Sequence, residues 1–242
     1  MKGATHLKYE VLRTLRNPRA LASTLALPLV LFYAIASSNR HAHTDGISFP
    51  LYFMTGMAAY GALFAVFAPG GHIAIDRARG WNRQLRSTPL RARTYLMSKV
   101  VAAYLGAVLS LLLLFLAGVS LGVQLIAAQW LEMTGLLLVG VVPFVAMGIV
   151  LGHVVTPDAL MPAVGGAVVF FALFGGAYGD FFSGGALLTL VKLLPSFWLV
   201  QAGKAALVAG RWPLEGWAVV AGWTVILVPL AALAYRRDTA RA

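Results

Sequence analysis

Long apolar stretches alternate with short polar ones along most of this chain. Each apolar stretch is close to the roughly 20 residues that a transmembrane helix needs, and far longer than a barrel strand. The pattern therefore predicts an all-α integral membrane protein, a single transmembrane domain over residues 1–242 with six transmembrane helices. These helices are expected at about 20–38, 51–75, 100–123, 131–155, 160–177 and 216–235.

Two further segments are apolar but are not suited to cross a bilayer. Residues 178–215 are broken by Gly184-Gly185 and Leu194-Pro195-Ser196, so we expect short re-entrant or interfacial helices on the outer side. Residues 5–17 predict an amphipathic helix in the membrane interface. Its apolar face holds Leu7, Val11, Leu12 and Leu15. No cleavable signal peptide is expected, because about twenty charged, helix-like residues precede the first apolar stretch.

The longest polar interval, residues 76–99, carries seven Arg or Lys against one Asp. Basic loops stay on the cytoplasmic side of a membrane. With both termini, this interval and the 156–159 turn in the cytoplasm, 15 of the 19 Lys and Arg residues lie inside. The positive-inside rule therefore predicts that both termini are cytoplasmic.

Composition narrows the class of protein. The chain of 242 residues is 60% hydrophobic and 11% charged, against about 25% charged in soluble domains. Its net charge of +11 sits beside the apolar stretches, which fits membrane orientation and anionic headgroups better than nucleic acid. It has no cysteine, so disulfide, thiolate and iron–sulfur chemistry are excluded.

No catalytic set of residues emerges from the sequence. His72, Glu132, His153 and Asp180 fall near the ends of predicted spans, where we interpret them as interfacial and hydrated. His41, His43 and Asp45 fit a solvated turn better than a metal site. No predicted span has a charge at its centre, and no P-loop is present. We therefore expect no enzyme, no metal and no bound cofactor, and any active transport needs energy from another subunit.

Glycines at a spacing of four recur within the spans. Gly118 and Gly122 form one such pair, and Gly148 and Gly152 form another. Glycines so spaced let two helix backbones approach closely. Each pair is therefore a candidate helix–helix contact, although chance pairs are expected in a chain with 25 glycines.

The polar interval also has a predicted shape. Residues 73–86 read as a helix on which Trp81 and Leu85 form an apolar ridge. Thr88 and Pro89 suit the cap and first position of a new helix, which continues through Lys99 into the third span. A topology signal needs only charge, so this shape favours docking of a soluble partner.

The stretch from Asp76 to Leu90 resembles the motif of ABC-2 type transporter permeases, and the resemblance extends over the whole arrangement of spans. Three positions depart from the pattern: Ala78, Trp81 and Arg83. The residues that match it are Asp76, Arg77, Gly80, Leu85, Thr88 and Pro89. The resemblance implies a cytoplasmic coupling helix between spans 2 and 3 that docks on an ATPase and includes Arg79 and Arg86 as well. The added basic residues imply an acidic cleft on that ATPase.

The resemblance further implies the permease subunit of an ABC exporter in the bacterial plasma membrane. ATP and Mg²⁺ would be held by separate ATPase subunits, and a second permease copy, identical or related, would complete the assembly. The cargo would be amphipathic or hydrophobic, such as a drug, an antibiotic or a lipid. A secondary transporter and a membrane anchor or assembly factor stay open as alternatives. The resemblance also implies a pathway or dimer interface on the fifth span, for which ordinary helix packing stays open as the alternative. Its residues are Gly165, Gly166, Phe170, Phe171, Phe174, Gly175 and Gly176.

Overall fold

The protein is built almost entirely from helices. The computed structural model describes residues 9–13, 16, 18–44, 46–80, 92–179, 184–207 and 212–241. After the helical residues 9–13 (α1), the chain forms α2 (Pro18–Ser38), a hairpin of β1 (His43–Thr44) and β2 (Ile47–Ser48), and α3 (Phe49–Ala78). The remaining helices are α4 (Ala92–Ser120), α5 (Ala127–Gly140), α6 (Val142–Val154), α7 (Pro157–Gly175), α8 (Gly185–Lys192), α9 (Pro195–Ala205) and α10 (Leu214–Arg241).

The apolar helices have the length that a bilayer requires. Within the described ranges, α3, α4, α7, α10 and the α5–α6 pair are each long and apolar enough to cross, and the bent α8–α9 pair would be a sixth such span. Helix α2 coincides with the predicted first span and contributes the shorter apolar helix Leu25–Ser38. The predicted class, an all-α integral membrane protein, is confirmed.

Helix α3 forms the centre of the bundle. Most of its residues are buried, including the large side chains of Met54, Tyr60 and Phe67, and it packs on α2, α4, α6, α7 and α9. Helix α10, in contrast, is mainly exposed and packs chiefly on α6. Helix α3 is therefore the element through which a movement of any neighbour would reach the others.

Glycines permit a close approach between two helices of the bundle. A Cβ atom added at Gly152 would lie 2.6 Å from the carbonyl oxygen of Gly70, and one added at Gly70 would clash with the carbonyl oxygen of Gly148. The backbones of α3 and α6 therefore touch along the Gly148–Gly152 pair. The Gly118 pair is different, because Gly118 faces the Met54 side chain and Gly122, at a φ of +91°, follows the end of α4.

Prolines lie next to two breaks between consecutive helices. The predicted fourth span corresponds to α5 and α6, which meet at Val141 just before Pro143. Proline lacks the N–H group that a continuous helix needs and restricts the residue before it. Helices α8 and α9 lie within the predicted outer segment and bend by 87° at the turn before Pro195. The Trp198 indole N–H donates to the carbonyl oxygen of Lys192 at 2.7 Å and ties the two together.

The helix ends sort into two groups. At one end, here called the basic end, side chains from α1, from the last turns of α3, α6 and α10, and from the first turns of α4 meet. At the opposite end, the Tyr33 hydroxyl lies 2.8 Å from Ser120 Oγ and Arg40 donates to the Ser120 carbonyl oxygen at 3.4 Å. The segments predicted to share the cytoplasmic side thus share one end of the bundle.

Candidate functional site: charged contacts at the basic end

Two adjacent residues of the polar interval lie at the end of α3 and turn in different directions. Asp76 faces α1 and α4, whereas Arg77 faces α6 and α10. Successive residues on a helix point about 100° apart, because 3.6 residues make one turn. This one dipeptide therefore joins the last turn of α3 to four other parts of the chain.

Asp76 belongs to an ion-pair cluster formed by Glu10, Arg13, Asp76 and Lys99. Lys99 Nζ lies 2.7 Å from Glu10 Oε1 and 3.3 Å from Asp76 Oδ2, and Arg13 lies 3.3 Å from Asp76. The Lys99 side chain is only 1% exposed and that of Glu10 only 6%. Two cations and two carboxylates balance within the cluster, as a buried charge requires.

Arg77 holds two helix ends at once; we call this contact the Arg77 anchor. Its Nε donates to Asp238 Oδ1 of α10 at 2.9 Å. Its Nη1 donates to the carbonyl oxygens of Gly152 and Val155, at 3.1 and 3.3 Å. The last carbonyls of a helix lack partners inside that helix and carry partial negative charge. Arg77 therefore caps α6 and binds α10 with a single planar group.

The buried histidines correct part of the sequence-based interpretation. His153 is 6% exposed, and its Nδ1 lies 2.8 Å from the carbonyl oxygen of Ile149 one turn earlier. The His72 side chain is 20% exposed, with Nδ1 3.9 Å from Glu10 Oε1. The prediction that His153 is hydrated is wrong, because α10 covers it, whereas the His72 side chain beside α1 is only partly buried. Glu132 is exposed, as that interpretation expects, and Asp180 lies outside the described residues.

The tip of the site is exposed. Helix α3 ends at Ala78, where the Arg79 N–H still reaches the Ile75 carbonyl, and Gly80 takes a φ of +71°. The predicted unbroken helix over 73–86 is therefore wrong, since the left-handed conformation that glycine permits stops the helix. Arg79 and Gly80 both face outward. The other predicted coupling residues, Trp81, Arg83, Leu85, Arg86, Thr88 and Pro89, lie outside the described residues.

A cavity of about 390 Å³ opens beside the ion-pair cluster. Its wall includes the exposed Tyr9 and Arg79 together with the buried Tyr95, and the cluster residues form the rest. The cluster is thus sealed on the side of the bundle and approachable from the side of Arg79. Across the described ranges, no group of three or more His, Asp or Glu residues is placed to hold a metal ion.

The predicted pathway residues on α7 fall into two groups. Gly165 and Gly166 have no atom within 4 Å of an added Cβ, and Phe170 is 46% exposed. Phe171 instead is buried and packs on Phe144 with ring centroids 5.1 Å apart. The interface assignment therefore stays a prediction, with Gly165, Gly166 and Phe170 as its outward members.

The remaining α7 residues serve contacts within the chain. Gly175 touches the Ser196 backbone, and Gly176 ends the helix with a φ of +78°. Phe174 packs on Phe170 with ring centroids 4.7 Å apart. Gly175 and Gly176 are therefore explained by packing and helix termination inside the subunit.

Four residues of the site are absent from the sequence-based prediction: Glu10, Arg13, Lys99 and Asp238. Each contacts a residue at least 23 positions away in the sequence. The local periodicity of apolar and polar residues does not indicate such distant contacts. One signal is available for Glu10, which is the single acid among the first 44 residues of a strongly basic segment. An isolated acid in such surroundings favours an ion pair.

Comparison with known proteins identifies a family. The sequence profile described as "ABC-2 type transporter" matches residues 4–207, which is most of the chain. "Putative transport permease YvfS" from Bacillus subtilis (strain 168) is 26% identical over 146 residues. That alignment covers 59% of this chain and 59% of the relative, so the chain spans less than two thirds of that protein.

Proposed function

The chain belongs to the ABC-2 type transporter family, and from this premise we propose that it is the membrane-spanning permease subunit of an ATP-driven exporter. The similarity to the Bacillus protein "Putative transport permease YvfS" supports this proposal. The sequence has no P-loop, so a separate ATPase subunit would bind Mg²⁺ and ATP. The basic end would face the cytoplasm of a bacterial cell, where that ATPase is found.

The observation that carries the proposal is the double connection made by Asp76 and Arg77. Beyond them the chain turns outward at Arg79 and Gly80, into the interval expected to dock on the ATPase. Force applied to this interval would reach the end of α3 at once. Lys99 would pass it to α4 through its contact with Asp76, and the Arg77 anchor would pass it to α6 and α10.

Close packing makes this transmission effective. Protein interiors have low compressibility, so a displaced helix moves the neighbours that it touches. The backbones of α3 and α6 touch at Gly70, Gly148 and Gly152, which leaves no space to absorb a small shift. A push at the basic end would therefore move α3, α4, α6 and α10 as one unit relative to the rest of the assembly.

A second permease copy would complete the pathway. The outward face of α7 at Gly165 and Gly166 offers small residues, and these let helices of two subunits approach closely. Phe170 on the same helix supplies apolar surface. Because the predicted spans carry no charge at their centres, we propose an amphipathic or hydrophobic cargo, of the drug, antibiotic or lipid type.

The test is ATP hydrolysis by a candidate partner ATPase, measured in nanodiscs with and without the chain. We expect hydrolysis that depends on the chain and falls severalfold in Gly80→Val and in Trp81→Ala. Gly46→Val is the matched control, because Gly46 also has a positive φ and open space but lies in the hairpin at the opposite end.

Two results would count against the proposal. A hydrolysis rate that is the same with and without the chain would favour a secondary transporter or a membrane anchor. Equal losses of ATP hydrolysis in Gly80→Val and Gly46→Val would show that valine at any positive-φ glycine lowers the rate. The assignment of the coupling helix would then fail.

A further inference from the structure

A cavity of about 420 Å³ lies between α6 and α10 at the basic end, next to the Arg77 anchor. This volume is within the range of about 300–1,000 Å³ that small-molecule sites occupy. Helix α6 contributes Val150 and Val154 to its wall, and α10 contributes Leu230, Leu233, Arg237 and Asp238. The cavity is separate from the ion-pair cluster, with which it shares no lining residue.

One wall of the cavity is apolar and faces away from the bundle. Val154 is 67% exposed, Leu230 is 45% exposed and Leu233 is 47% exposed. Both α10 and the α5–α6 pair are long and apolar enough to cross a membrane, so these side chains lie at the lipid-facing surface. The cavity therefore opens sideways toward the acyl chains of the bilayer.

The other wall is charged and lies at the helix ends. Arg77 and Asp238 form an ion pair at 2.9 Å, and their charges cancel. Arg237, on the exposed side of α10, leaves the wall with a net positive charge. The apolar wall thus continues into a cationic wall at the membrane boundary. These two walls together match a molecule with an apolar tail and an anionic head.

We propose that this cavity binds an anionic phospholipid of the bilayer. The phosphodiester accepts hydrogen bonds from Arg237, and an acyl chain lies along Leu230, Leu233 and Val154. Basic pockets between transmembrane helices recognise anionic headgroups in this way. A zwitterionic lipid would bring its own cation close to Arg237, and a soluble anion would leave the apolar wall unused. The bound lipid would cover the Arg77–Asp238 pair and hold α10 on α6.

The test counts lipids on the purified full-length chain by native mass spectrometry during titration with phosphatidylglycerol or phosphatidylethanolamine. Arg237→Gln removes the headgroup contact, and Leu233→Trp fills the acyl groove without changing charge. Arg236→Gln is the matched control, because it removes the same charge from the neighbouring position, whose side chain does not line the cavity. Thermal unfolding of each variant shows that it is folded.

The expected result is one tightly bound phosphatidylglycerol that the control retains. Arg237→Gln should weaken it about fivefold, which corresponds to about 1 kcal/mol for one arginine at a membrane surface. Leu233→Trp should weaken it by at least as much. Three results would overturn the proposal: equal binding of phosphatidylethanolamine, equal losses in Arg236→Gln and Arg237→Gln, or unchanged binding in Leu233→Trp.

Discussion

Lys99 is the charged residue whose environment departs furthest from what its position suggests. It lies in the first turns of a transmembrane helix, close to the membrane surface, where a lysine normally extends its ammonium group into water. Here the side chain is 1% exposed and contacts the carboxylates of both Glu10 and Asp76. The protein has replaced water around this charge with its own acids, which ties α1, α3 and α4 together.

Replacement of this lysine should be costly. In Lys99→Met, Glu10 and Asp76 would keep two carboxylates with one neighbouring arginine, and breaking a buried pair in this way costs about 3–5 kcal/mol. We expect a clear fall in the temperature of thermal unfolding in detergent. Adding Glu10→Gln to the variant should recover part of the loss, because it removes a carboxylate that has lost its cation.

The control for this prediction is Lys192→Met, since the side chain of Lys192 is exposed at the end of α8. It should unfold close to the temperature of the unchanged protein. If Lys99→Met and Lys192→Met unfold at the same temperature, the ion-pair cluster does not stabilise the bundle, and its part in transmitting force would be lost with it.

For single residues, the sequence shows which side chains are chemically unusual but not which of them contact each other. Asp76 and Arg77 stand out because they belong to a recognisable motif. Their actual partners, Lys99 and Asp238, are separated from them by 23 and 161 positions. Such contacts depend on the packing angles of several helices, and a single chain's periodicity contains no measure of those angles.

Among the helices, α3 and α6 make a close backbone contact that depends on glycine. A Cβ atom on Gly152 would meet the carbonyl oxygen and the Cα atom of Gly70 at 2.6 and 2.9 Å. Both atoms belong to the backbone and cannot move aside alone. The spacing of Gly148 and Gly152 in the sequence points to this contact, but not to α3 as the partner.

Gly152→Ala should therefore force α3 and α6 apart. Overpacking of this kind costs about 1–3 kcal/mol, and it would also strain the Arg77 anchor, which binds the Gly152 carbonyl oxygen. Gly222→Ala is the control, because Gly222 is helical and has open space around it. Alanine favours a helix over glycine by up to about 1 kcal/mol, so the control should be neutral or stabilising.

Thermal unfolding of the two alanine variants side by side measures the difference. Equal stability of Gly152→Ala and Gly222→Ala would contradict the close approach of α3 and α6. Cysteine oxidation cannot disturb this measurement during heating, because the chain contains no cysteine.

The helices themselves follow from hydrophobicity and from proline and glycine. Apolar length indicates where the spanning helices lie, and Pro195 marks the bend between α8 and α9. The end of α3 is harder to place, because Trp81 and Leu85, four positions apart, continue a helical period beyond Ala78. Gly80 adopts a left-handed conformation there, and a glycine in the sequence permits this conformation without requiring it.

In the molecule as a whole, the distribution of charge along the sequence agrees with the arrangement of the helix ends in the fold. The basic segments that predict a cytoplasmic location by charge alone converge at one end of the bundle. Acids at that same end, Glu10, Asp76 and Asp238, neutralise the cations that connect the helices. We propose that this end receives mechanical force from a partner ATPase at Arg79 and beyond.

Site-specific cross-linking tests this claim most directly, because the chain has no cysteine and any single cysteine reports one position. Arg79→Cys and Arg40→Cys, at opposite ends of the bundle, would each be treated with a short bifunctional thiol–amine reagent in complex with the candidate partner ATPase. We predict a cross-link to the ATPase from position 79 and none from position 40. A cross-link from position 40 alone, or none from position 79 in a complex that stays assembled, would contradict the account.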